Sequence, residues 1–292
     1  MTATTTASEA TLDRALIARA LSYSEHGART MWLGQPVAAV ADRIRAGRTP
    51  FPVPSDAVDL ARRDVDLLAA VGGRLVTRDD PEWPRLQLAP LDRTPSPSPF
   101  ALYVRGPARL DVTAGHAITV TGTRTPTSYG RTVTTTLVAE LAQFGWNIAA
   151  SSGYGIAATA HRAALTHQAT PVAVLPCGLD IAHPPGNADL LAAIADTGLL
   201  ISPYPPGTRV TRARRRAHAR LLSALCAGVV VIESAHAGEP ATTAATAIRV
   251  RTPVFAVPGP VTSATSRLPH QLLADGHARL VTSGRDIHHW FD

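Results

Sequence analysis

The chain contains no lysine, so all 28 of its cationic side chains are arginines. A phosphate loop of the Gly-Lys-Ser/Thr type is therefore excluded, and neither G-x-G-x-x-G nor G-x-S-x-G occurs. Cysteine is nearly absent: Cys177 and Cys226 each sit inside an apolar run and read as two buried thiols. The eleven histidines are scattered, and none pairs with cysteine or a carboxylate at metal spacing. His288-His289 is only a weak exposed-metal feature, and no catalytic constellation emerges. No apolar run approaches the roughly 20 residues that span a bilayer. The opening "MTATTTASEA" has neither the basic start nor the apolar stretch of a signal peptide. A cytoplasmic protein with no membrane association is the expectation. Internal repeats and coiled-coil heptads are missing too.

What is present is an apolar, well-punctuated chain of 292 residues, 45% hydrophobic, with 24 prolines and 21 glycines. That suits one large domain and a small one. The net charge of +6 and a pI near 10.1 suit a polyanionic partner, and equally a merely soluble surface. Residues 1–10 read as a disordered tail. Residues 11–71 read as a small helical domain, with Val37, Val40, Ala41 and Ile44 forming one apolar face. A short strand follows in "GGRLVTRDDPEWPRL", then a proline-rich connection, "RTPSPSPF". From Ala117 onward, "AITVTG", "WNIAAS", "PVAVLP", "LLISPY", "GVVVIES", "PVFAVPG" and "ARLVTS" alternate with helix-compatible segments. The pattern predicts an α/β fold over 72–292, a mostly parallel sheet with helices on both faces. Functional residues should then lie on loops at the carboxyl ends of the strands.

Four such loops stand out. In "VTGTRTPTSYGR", Gly122 ends a strand, Thr123 and Arg124 follow it, and Ser128 looks like the cap of a helix starting near Tyr129. An anion there would meet N–H groups, hydroxyls and a guanidinium. In "SSGYGIAATAHRAAL", Gly153 and Gly155 permit a tight turn or close backbone approach, Tyr154 offers a ring, and Arg162 follows on the helix. In "LPCGLDIAHPPGN", His183 lies near Asp180, and Asn187 is a plausible helix cap. The fourth segment, "PPGTRVTRARRRAHAR", holds Arg209, Arg212, Arg214, Arg215, Arg216 and Arg220, with no acidic residue between Asp196 and Glu233. It reads either as a solvated helix face or as a strip that neutralises phosphates and stacks on unpaired bases. Tyr154 and Tyr204 could add stacking surfaces.

Read in order, these segments resemble the DNA-processing protein A family, also called Smf or DprA. The resemblance runs from about Gly72 to Ile287 and includes "ALYVRGPARL", "VTGTRTPTSYGR", "YGIAATAHRAAL", "AVLPCGLDIAHPPGN", "PPGT", "VVVIES" and "FAVPGPVTS". It implies a Rossmann-like domain preceded by a small helical one, and a non-enzymatic role without cofactor or metal. Its members bind single-stranded DNA as homodimers and load the RecA recombinase during natural transformation. The family's G-S/T-R motif falls on Gly122, Thr123 and Arg124, followed by Ser128, Tyr129 and Gly130. Its R-N-R element falls on His218, Ala219 and Arg220. Its S-G-x-A-x-G-I-D stretch has become Ala150 to Ala157, without the usual aspartate. Its S-G-A-x-x-T-A loop has become "GEPATTA", keeping Thr243-Ala244. The winged helix that some members carry at the C-terminus is not expected.

The nucleic-acid site so implied comprises Gly122, Thr123, Arg124, Ser128, Tyr129, Gly153, Tyr154, Gly155, Arg162, Arg212, Arg214, Arg215, Arg216, His218, Arg220 and Thr243. Two other readings stay open. One is a nucleotide sensor or nucleotide-processing enzyme whose loops close over a small phosphorylated ligand. Against hydrolysis, the P-G-G-x-G-T loop of related phosphoribohydrolases is here only "PATTAAT". The other is a degenerate relative that keeps the fold without DNA binding.

Overall fold

The computed structural model describes residues 8–23 and 29–292. Of the expected tail, residues 1–7 lie outside the described residues. Ser8 caps the first helix by accepting a hydrogen bond from the Thr11 N–H, so Glu9 and Ala10 are helical and not tail. The N-terminal part is built from α1 (Glu9–Leu21), α2 (Arg29–Trp32), α3 (Val37–Arg45) and α4 (Ala57–Ala70). Leu16, Ile17, Val40, Ala41, Ile44 and Ala61 form its own apolar cluster, so the helical spacing in the sequence does define the buried face.

The rest of the chain runs β1 (Gly73–Thr77), α5 (Arg85–Leu88), β2 (Ala101–Arg105), α6 (Leu110–Gly115), β3 (Ala117–Thr121), α7 (Ser128–Gln143), β4 (Asn147–Ser151), α8 (Ile156–Thr166), β5 (Pro171–Val174), α9 (Ala188–Thr197), β6 (Leu199–Ser202), α10 (Arg212–Leu225), β7 (Gly228–Val231), α11 (Glu239–Val250), β8 (Val254–Ala256), α12 (Arg267–Ala274), β9 (Arg279–Leu280) and α13 (Gly284–His288). The strands form one sheet in the order β1-β2-β6-β5-β4-β3-β7-β8-β9. All pairings from β6 to β9 are parallel, while β1 and β2 add to the β6 edge antiparallel. The seven apolar runs seen in the sequence are β3 to β9. β2 was not foreseen: it follows a proline-rich connection, and no long helix separates it from β1.

Successive strand residues point to opposite faces, so an apolar strand needs cover on both. Ile118, Val120, Ile148 and Val230 pack against Leu137, Val138 and Leu141 of α7 and Ile156 and Ala160 of α8. Across the sheet, Ala149, Val172 and Val174 meet Leu221, Leu222 and Leu225 of α10, and Val229 and Val231 meet Ala244 and Ala247 of α11. Each leucine so buried contributes about 1.5–3 kcal/mol. The chain winds outward from β3 to β6, then returns to lay β7 on the other side of β3. Loops leaving β3 and β7 therefore diverge, opening a crevice at the carboxyl ends of the central strands.

One buried arginine both pairs two N-terminal helices and ties them to this layer. Arg19 of α1 donates through Nε to Asp64 of α4 at 2.7 Å and through its terminal nitrogen to the Pro206 carbonyl at 2.9 Å. Pro206 lies in the loop after β6, where Asp180 accepts from the Gly207 N–H at 2.9 Å. Among the described residues, no helix is long and apolar enough to cross a membrane, and no group of three or more acidic, His or Cys side chains could hold a metal. His288 instead stacks on Phe144 with ring centroids 4.1 Å apart.

Candidate nucleic-acid interface

The loops after β3 and β4 are fitted together by glycine. A Cβ on Gly122 would stand 2.6 Å from the Ile156 side chain and 2.8 Å from the Glu233 carbonyl. Gly155 has φ of +78° with Thr123 O only 2.3 Å from where its Cβ would be, so only glycine fits there. The Ile156 N–H donates to the Thr123 carbonyl at 3.0 Å, fastening the start of α8 to the β3 loop. Asn187 does not cap α9 with its side chain: its amide donates to the Ser152 and Gly153 carbonyls at 2.9 and 3.1 Å, fixing the β4 loop from behind.

These loops, with those after β5 and β7 and the first two turns of α10, enclose a cavity of about 310 Å³. Arg124, Tyr154, His183, Arg215, His218 and Glu239 bring its chemistry. The Arg124 guanidinium lies 5.6 Å from the centre of the Tyr154 ring, within cation–π range, and that ring is 38% exposed. Burial, then Arg124, Arg215 and His218, push the His183 pKa down, a sign of the positive field inside. Burial would raise the Glu239 carboxyl, but the His218 contact, the Ser151 hydroxyl and Arg124 outweigh it and hold the pKa low. His161 lies behind the wall: its Nε2 is 3.1 Å from the Ser151 carbonyl, and burial lowers its pKa to about 4.

Of the residues singled out from sequence, Gly122, Thr123, Arg124, Gly153, Tyr154, Arg215 and His218 line the cavity. The others do not. Ser128 is not the cap of α7: Thr127 is, accepting from the Gly130 N–H. The helix N-terminus expected to receive an anion holds the protein's own Glu233 carboxylate, which accepts from the Thr127 N–H at 3.0 Å and the Thr127 hydroxyl at 2.7 Å. Tyr129 donates its hydroxyl to the Pro258 carbonyl. Gly155 acts as the joint between loops, and Arg162 is exposed on α8.

The arginine cluster is dispersed by helical geometry. Arg214 folds back, 5.4 Å over the Tyr204 ring and donating to the Arg209 carbonyl at 2.7 Å. Arg212 and Arg216 are exposed away from the cavity lining, and Arg220 lines a second cavity together with Tyr204. Thr243 is fully buried, its hydroxyl donating to the Glu239 carbonyl at 3.0 Å, so no strand can reach it. Glu239 and Ser151 were missed as site residues, and His183, noted beside Asp180 in its loop, was not assigned to the site. The signal available for Glu239 was its place just after a glycine in the loop leaving an apolar strand.

The model of a known family, DNA recombination-mediator protein A, matches residues 74–292, which contain every cavity residue. The chain belongs to this family. A Mycobacterium tuberculosis protein carrying the provisional name DNA processing protein DprA is 42% identical over 86% of this chain and 67% of its own length. Protein Smf of Escherichia coli is 33% identical over 73% of this chain, which spans 55% of that relative. DprA from Streptococcus pneumoniae superposes with a TM-score of 0.69 at 25% identity, covering 95% of this chain and 93% of that one. DprA of Helicobacter pylori, solved for its single-stranded DNA binding mode, gives 0.64 at 25% identity, covering 74% and 93%. The DprA fold is thus shared over sheet and N-terminal helices alike.

Proposed function

We propose that this protein binds single-stranded DNA across the cavity at the carboxyl ends of β3, β4, β5 and β7. It acts as a homodimeric, non-enzymatic mediator that protects the strand and loads RecA recombinase onto it during DNA uptake. The convergence of Arg124 and Arg215 on a cavity that also presents the Tyr154 ring carries this reading. Guanidiniums neutralise successive phosphates, and an exposed ring accepts a stacked base of any identity. The single-strand binding described for the Helicobacter pylori relative supports it.

The test is fluorescence anisotropy of a labelled single strand of about 30 nucleotides, titrated at several salt concentrations beside a duplex control. The expected result is tight binding with a steep salt dependence and a clear preference for the single strand. Absence of binding at low salt would overturn the proposal. Where binding is found, a RecA strand-exchange assay with and without this protein tests the mediator step.

A further inference from the structure

Glu239 has no place in a cavity built only to hold phosphates. A carboxylate there repels every phosphate brought near it, yet it faces the same space as Arg124 and Arg215. Beside it is His218, only 1% exposed and lining the cavity, with neither ring nitrogen in a hydrogen bond; Nε2 stands 3.5 Å from Glu239 Oε1. A buried imidazole with no hydrogen bond at either nitrogen, only Glu239 beside it, marks a place where a ligand atom completes the set. The two side chains thus present, side by side, a pure acceptor and a donor.

We propose that Glu239 and His218 form a base-reading pair that selects guanine. The Watson–Crick edge of guanine carries a carbonyl oxygen next to two adjacent N–H donors. The oxygen accepts from the His218 N–H while the carboxylate accepts from both donors. Carboxylate oxygens have about four lone-pair sites between them, so the existing contacts with His218 and the Ser151 hydroxyl leave room for this. Thymine fits worst, because its one N–H is flanked by two carbonyls that would face the carboxylate. Cytosine and adenine each offer a single donor group beside an acceptor. Arg124 and Tyr154, stacked on one another in the same cavity, supply a surface for the flanking base or sugar.

This inference rests on the single-stranded DNA reading for its setting, but the base recognition can be tested apart from it. The probes are a thymine 30-mer and the same strand with isolated guanines in a T-T-G repeat, in lithium buffer to suppress guanine quartets. Free dGMP and dTMP are titrated directly by calorimetry and also serve as competitors. The T-T-G strand should bind about tenfold more tightly than the thymine strand, the size expected of one bidentate base contact. In Glu239→Gln that ratio should collapse toward one, while the thymine strand binds more tightly for loss of a repelling charge. Glu239→Asp, which shortens the reach but keeps the charge, should narrow the ratio without raising thymine binding. Equal affinity for the two strands, or a preference that survives Glu239→Gln, overturns the base-reading pair and leaves the single-strand reading intact. If neither strand binds but dGMP binds in preference to dTMP, the base-reading pair stands and the single-strand reading falls. If no probe binds, both fall.

Discussion

His161 shows how a single residue sets the acid limit of the fold. It sits behind the β4 loop with 1% exposure, and burial drops its pKa from 6.5 to about 4. The unfolded chain therefore binds this proton more readily, and the associated stability is lost as pH falls from about 6.5 toward 4. Between pH 7 and 5 the loss is about 2 kcal/mol. Urea unfolding at the two pH values should show it, and His161→Gln should remove most of that difference. Gly155 is the second residue on which the site depends. Gly155→Ala places a methyl against the Thr123 carbonyl at positive φ. It should cost about 1–3 kcal/mol or more and weaken DNA binding with it, measured by thermal melting and anisotropy on the same preparation.

At the level of elements, what could be read from sequence followed from period and composition. Six of the seven apolar runs became the buried strands β3 to β8, because a strand covered on both faces must be apolar, while the seventh became β9, an exposed two-residue edge strand. Helix α10 was legible as a charged helix, but which arginine faces the crevice depends on rotation about its axis. That rotation is fixed by Leu221, Leu222 and Leu225 packing on the sheet. Thr127 and Ser128 are adjacent hydroxyls, and sequence does not separate them as caps. The choice is made by Glu233, 106 residues away, whose carboxylate binds Thr127. The same geometry predicts a contrast within α10: Arg215→Ala should reduce single-strand affinity about tenfold and lower the salt slope by about one. Arg216→Ala should change either little. Equal effects would mean that the cluster acts as a diffuse charge.

Across the whole molecule, Arg19 joins α1 to α4 through a buried pair that is costly to break, and α1 to the loop after β6 through the Pro206 carbonyl. Arg19 and Asp64 are 11% and 3% exposed, and removing one partner strands a buried charge. Arg19→Ala should lower stability by about 3–5 kcal/mol and also free the Pro206 carbonyl that Arg19 holds. Chemical denaturation of the intact chain tests this; a loss below 1 kcal/mol would show that water replaces the pair.

The reversal of winding between β3 and β7 has a consequence for how function depends on integrity. Arg124, Tyr154, His183, Arg215 and Glu239 come from five separate stretches, and the crevice they share exists only because the chain doubles back to place β7 beside β3. A chain that ends before β7 carries Arg124, Tyr154, His183 and Arg215 but lacks Glu239 and the β7 loop that closes the crevice. A strand bound as proposed would touch segments from both sides of β3, and by binding only the assembled sheet it would hold closed the seam along which they part.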